Sequence, residues 1–135
     1  MGPHLAFELK MLLAAVGIGL IQLILSAASA RRQQNLKWAA GPRDEPMPPL
    51  TGVAARLDRA FRNFLETFAF FAAAVIVSYL AGRSGNPLSI WGSTLYVAAR
   101  AVYVPLYAAG IPLVRTIAWA TAMAGILMVI AASLV

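Results

Sequence analysis

FAFFAAAVIVSYLAG, residues 68–82, carries no charged side chain. The ten residues before it, DRAFRNFLET (58–67), hold Asp58, Arg59, Arg62, Asn63 and Glu66. A charged segment thus opens directly into a strongly apolar one. Similar uncharged runs cover Met11 to Ala30, Ser84 to Ala99 and Thr116 to Val135. A helix rises about 1.5 Å per residue, so runs near twenty residues match a hydrocarbon core of roughly 30 Å. Buried strands are a poor alternative, because the runs are too long and are rich in Ala and Leu. The reading is all-α: one integral membrane domain over residues 1–135, a four-helix bundle with spans at about 6–30, 60–82, 88–109 and 112–134.

Composition agrees. The chain has 135 residues, of which 61% are hydrophobic and 12% charged. A soluble domain of this size exposes too much of its surface to hide that apolar content. The net charge is +6. The cations cluster at the ends of the apolar runs, which points to anionic lipid or a small anion and away from nucleic acid. There is no cysteine and a single histidine, His4. That excludes a disulfide framework, a Cys nucleophile and a Cys/His metal site, and no metal is expected. Met11 to Leu25 has the look of a leader core, followed by the small residues Ala28-Ser29-Ala30. The segment before them is not basic, since Glu8 offsets Lys10, and more membrane follows, so the run is read as a first span.

Arg31 to Arg56 is the one substantial connection, and GPRDEPMPP (41–49) within it cannot continue a helix. Asn86-Pro87 signals a turn, and Pro112 suits the first turn of a helix. Arg31, Arg32, Lys37, Arg43 and Arg56 gather on the first loop, whereas the second connection holds Arg83 alone. By the positive-inside rule this loop, about 31–58, is cytoplasmic and both termini lie on the opposite side.

Polar residues also occur at depth. Arg59, Asn63 and Glu66 share one helical face, as do Arg100, Tyr103 and Tyr107. Arg115 lies in the first turn of the last span, and Arg31 and Arg32 end the first. Some of these have plain explanations: Arg31, Arg32, Arg56 and Arg62 can snorkel to headgroups, and Tyr103 and Tyr107 can belong to an interfacial belt. Arg100 is harder to explain that way. It lies about 13 Å inside its span, where a charge is costly without a partner. Glu66, at similar depth, is the expected partner. The arginines outnumber it, so the pocket is expected to be net positive, suited to carboxylates held by guanidinium forks and to a thiolate.

The pattern resembles one family, the membrane-associated proteins in eicosanoid and glutathione metabolism (MAPEG). RAFRNFLE (59–66) is similar to the family's R-A-x-x-N-x-x-E at the start of its second helix. RAVYVPLY (100–107) is similar to its R-x-x-Y-x-x-x-Y in the third, and SARR (29–32) to the end of its first. The resemblance spans nearly the whole chain. It implies a homotrimer that binds glutathione as co-substrate between subunits near the cytoplasmic face. It further implies that Arg59, Asn63, Glu66, Arg100, Tyr103 and Tyr107 contact glutathione, with Arg31 or Arg32 supplied by the adjoining subunit. Arg115 resembles the arginine credited with holding the sulfur as a thiolate, although its spacing from Tyr107 differs by one and Pro112 intervenes. Arg100 is the other candidate for that charge. The expected activity is transfer of glutathione to a lipophilic electrophile, or reduction of a lipid hydroperoxide, as in microsomal glutathione transferases. Two other readings are a lipid-presenting protein of the same fold without glutathione chemistry, and a small exporter using Glu66. The full polar constellation favours the enzyme, and the arginines around Glu66 disfavour the exporter.

Overall fold

The computed structural model describes residues 4–34, 36–46 and 49–135. It contains α1 (Phe7–Gln33), α2 (Leu36–Ala40), α3 (Gly52–Leu80), α4 (Pro87–Ala108) and α5 (Pro112–Leu134), with no strand among the described residues. Three helices, α1, α3 and α5, are long and apolar enough to cross a membrane. α4 has 22 residues, which is also of spanning length at about 1.5 Å each. It falls short in apolarity because it carries Arg100, Ser89, Ser93 and three tyrosines. Composition alone therefore supports an integral membrane protein with three spans, where four were expected.

The outer surface explains the apolar content. Leu13, Ile24, Phe70, Leu80, Leu113, Leu127 and Leu134 all point outward. Water would not tolerate so continuous an apolar surface, but acyl chains do. Inside, Phe71 stacks on Tyr96 at 4.0 Å between ring centroids, among Ala15, Val75, Ala122 and Val129, all fully buried. The Tyr96 hydroxyl meets Thr67 Oγ1 at 3.0 Å, so this core phenol is satisfied.

α4 and α5 approach most closely through two glycines. A Cβ on Gly125 would lie 2.5 Å from the carbonyl oxygen of Gly92, and one on Gly92 would lie 2.7 Å from that of Gly125. Between apolar helices in lipid, such close backbone contact supplies the dispersion energy that burial from water supplies elsewhere.

α3 begins eight residues before the expected span, at Gly52. The sequence expectation had residues 52–58 in the loop. The structure makes the start of α3 an amphipathic helical entry whose Ala54, Leu57, Ala60 and Phe64 face inward at three- and four-residue steps. The connection is correspondingly shorter and includes the one-turn helix α2. Met47 and Pro48 of its proline-rich stretch lie outside the described residues. The loop is fastened at its base. Gln33 Nε2 donates to the Thr51 carbonyl, and its Oε1 accepts from the Thr51 N–H, both at 2.9 Å.

The short connections match the turn chemistry. Asn86 Oδ1 accepts from the Leu88 N–H at 2.8 Å and caps α4, with Pro87 in its first turn. Gly110, at φ 77°, permits the α4–α5 reversal, and Pro112 opens α5. Arg56, expected to reach headgroups, instead donates from Nε to the Ala108 carbonyl at 2.9 Å, satisfying the C-terminal end of α4.

Candidate anion site at one end of the bundle

α4 runs antiparallel to α3, which brings the end of α4 beside the start of α3 and the start of α5. Arg100 is fully buried there. Its Nη1 donates to Asn63 Oδ1 at 2.8 Å. Its guanidinium lies 4.2 Å from the Tyr103 ring centroid and 5.6 Å from that of Phe64. Nε and Nη2 have no hydrogen-bond partner among the described residues.

The expected pairing of Arg100 with Glu66 is not what the structure shows. Glu66 is exposed and makes no hydrogen bond or ion pair among the described residues. Asn63 is level with Arg100. Glu66 stands three residues further along α3, on the rim of the adjoining cavity. Arg100 is thus a buried cation held by a neutral amide and an aromatic face. Cation–π contact and one hydrogen bond compensate only part of its lost hydration.

Tyr107 organises the outer part of the site. Its hydroxyl accepts from Arg59 Nε at 3.0 Å, and the Arg115 guanidinium lies 4.8 Å from its ring centroid. The rings of Tyr103 and Tyr107 meet at 5.4 Å. Two adjoining cavities share Asn63, Tyr103 and Tyr107. One, of about 230 Å³, is completed by Arg59, Arg62 and Glu66. The other, of about 270 Å³, is completed by Arg115, Thr116 and Trp119. Arg62 is paired with Asp58 at 3.1 Å.

Seven of the nine expected site residues therefore converge: Arg59, Asn63, Glu66, Arg100, Tyr103, Tyr107 and Arg115. Arg31 and Arg32 do not join them within one chain. They are exposed in the last turn of α1, where Arg31 bonds Gln34 at 3.0 Å and Arg32 lines a separate cavity beside Thr51 and Gly52. Sequence reading missed Phe64, Thr116 and Trp119. Trp119 could have been found as the residue one turn beyond Arg115 on the same face.

The structure also places a buried acid at the far end, where none was expected to matter. Glu8 is fully buried and accepts from the Gly85 N–H at 2.8 Å and from the Ser89 hydroxyl. It ties the start of α1 to the α3–α4 turn.

A helical membrane protein with a cationic, tyrosine-lined cavity at one end is the class these observations define. The MAPEG family model matches residues 11–135. The chain belongs to the MAPEG family and is a membrane protein of glutathione and eicosanoid metabolism. A search of curated proteins gives no match.

Proposed function

We propose that this protein is a glutathione-dependent membrane transferase or peroxidase, working as a homotrimer of four-span subunits. The observation that carries the reading is Arg100, a buried guanidinium with two unpartnered nitrogens and no carboxylate against it. Such a group calls for an anion. Glutathione offers two carboxylates for the Arg59, Arg100 and Arg115 guanidiniums, and an ammonium for the unpaired Glu66. A resident cation also stabilises the thiolate over the thiol.

In this reading the adjoining cavities divide the work. The 230 Å³ cavity holds the peptide, and the cavity with Arg115, Thr116 and Trp119 brings the sulfur to an apolar co-substrate arriving from the bilayer. The thiolate lone pair forms a carbon–sulfur bond as the leaving group departs with its electron pair. With a hydroperoxide, sulfur attacks the terminal oxygen and the alcohol departs. A second glutathione then yields the disulfide and water. The chain supplies orientation and charge, and needs no general base once the thiol is ionised. Arg31 or Arg32 of an adjoining subunit would complete the site, and the basic residue count puts this end in the cytoplasm.

The test is glutathione titration of the purified protein, recording the ultraviolet thiolate difference signal for wild type, Arg100→Lys and Arg115→Ala. Binding with the signal supports an activated-thiol enzyme, and the variant that binds without it identifies the activating arginine. No binding at millimolar glutathione overturns the reading in favour of a lipid-presenting protein.

A further inference from the structure

The connection between α1 and α3 holds a further charged cavity. It has a volume of about 450 Å³ and is lined by Lys37 and Trp38 of α2, by Gly41 and by Arg43, Asp44 and Glu45. It shares no residue with the cavities around Tyr103 and Tyr107. Its wall is fastened in place. Trp38 Nε1 donates to the Glu45 carbonyl at 2.7 Å, and Arg43 Nε donates to the Ala39 carbonyl at 3.1 Å. The Arg43 guanidinium lies 5.4 Å from the Trp38 ring centroid. Arg43 does this at φ 60°, the one positive φ of a non-glycine residue among the described residues. That backbone conformation is unfavourable for a residue with a long side chain, and where it persists it marks a candidate for function.

Charge and position narrow the occupant. Lys37 and Arg43 line the same cavity as Asp44 and Glu45. Yet Nη1 and Nη2 of Arg43 and the carboxylates of Asp44 and Glu45 make no hydrogen bond or ion pair among the described residues. A ligand that engages both signs is a zwitterion. An anion alone meets the two carboxylates, and a cation alone meets the arginine and lysine. The cavity follows directly on the membrane-crossing α1, which ends at Gln33, and Gln33 and Thr51 hold the base of the loop together. That is the level of phospholipid headgroups, where a tryptophan such as Trp38 is at home. Phosphoethanolamine fits: its phosphate matches the guanidinium fork, and its ammonium brings three N–H donors for carboxylates. A choline headgroup carries the same phosphate but no N–H donor.

We infer that this cavity binds a phosphoethanolamine group, with its phosphate on Arg43 and its ammonium on Asp44 and Glu45. The group can arrive as the headgroup of a phospholipid or as a water-soluble phosphodiester. The inference stands independently of glutathione binding.

The experiment titrates full-length protein in detergent with phosphatidylethanolamine, phosphatidylcholine and phosphatidylglycerol of identical acyl chains, and counts bound lipid by native mass spectrometry. Phosphatidylethanolamine should bind about fivefold more tightly than either of the others, the worth of one charge-assisted contact at a solvated site. The double variant Asp44→Asn, Glu45→Gln should erase its advantage over phosphatidylcholine. Arg43→Gly should weaken both lipids about fivefold, since they share the phosphate. Glycine adopts φ 60° freely, so the melting temperature should not fall. A fall would make Arg43 a fastening of the loop and overturn its role as phosphate ligand. Equal binding of phosphatidylethanolamine and phosphatidylcholine overturns the proposal. So does tighter binding of phosphatidylglycerol, which would mark a merely cationic patch, or a preference that survives the double variant. Glycerophosphoethanolamine separates the sources. If it displaces the lipid at matched concentration, the site takes the soluble ester as well. If it does not, the phospholipid is the ligand. Either result keeps the recognised group.

Discussion

Arg100 Nη1 and Asn63 Oδ1 meet at 2.8 Å, and this is the one hydrogen bond the buried guanidinium makes among the described residues. A neutral amide orients the arginine without cancelling its charge. Asn63→Asp should therefore be worse for anion binding than its size suggests. A carboxylate there would form a buried ion pair and lower the pull on an incoming anion. Glutathione affinity should fall at least about tenfold, as expected when a charge-assisted contact is lost. Isothermal titration calorimetry reads this directly. Unchanged affinity in Asn63→Asp would mean that the uncompensated charge of Arg100 is not what draws the ligand.

Ligand charge gives the complementary check. Esterifying the glycine carboxylate of glutathione removes one anion and leaves its shape nearly intact. Affinity for the monoester should drop roughly tenfold, and by less in a variant already lacking the arginine that holds that carboxylate. Competition binding against glutathione across arginine variants would show which side chain it is. Equal affinity for acid and ester would remove carboxylate recognition from the account.

Gly125→Ala should destabilise the bundle by about 1–3 kcal/mol, because the new methyl group meets backbone that cannot move aside. Its Cβ would stand 2.5 Å from the Gly92 carbonyl oxygen and 2.8 Å from the Tyr96 nitrogen. Gly17→Ala is the control, since nothing lies within 4 Å of the position. It should be neutral or stabilise by up to about 1 kcal/mol through helix propensity. Thermal melts in one detergent separate the two, and equal behaviour would contradict the close crossing of α4 and α5.

Glu8→Ala should lower stability by about 2 kcal/mol by leaving the Gly85 N–H without its acceptor, whereas the Ser89 hydroxyl keeps the Asn86 carbonyl at 2.9 Å. Glutathione affinity should not change, because the site is at the other end of the bundle. A matched loss of affinity and stability would show instead that the two ends unfold or rearrange together.

The fold was legible where one physical rule dominates. Hydrocarbon thickness sets the length of Met11–Ala30 and Thr116–Val135, and turn chemistry sets Asn86-Pro87 and Pro112, so both could be read from residues alone. The early start of α3 was not legible. Arg56 and Asp58 read as loop until burial of Ala54, Leu57 and Ala60 shows which face they oppose. α4 carries two opposed signals: its length suits a span, while its serines, tyrosines and Arg100 dilute the apolar signal that identifies one.

The sequence by itself determined that the chain is helical, belongs in a membrane and carries Arg59, Asn63 and Glu66 on one face and Arg100, Tyr103 and Tyr107 on another. Helical periodicity and transfer energies are local properties, and one strand of text contains them. Which member of each face meets the other was decided by tertiary structure. The relative height of α3 and α4 gave Arg100 to Asn63 and left Glu66 on the rim. The meeting of Gly92 with Gly125 and the fastening of Glu8 to Gly85 depend on the same registry. That registry is set by close packing across the whole bundle, and no short stretch of sequence encodes it.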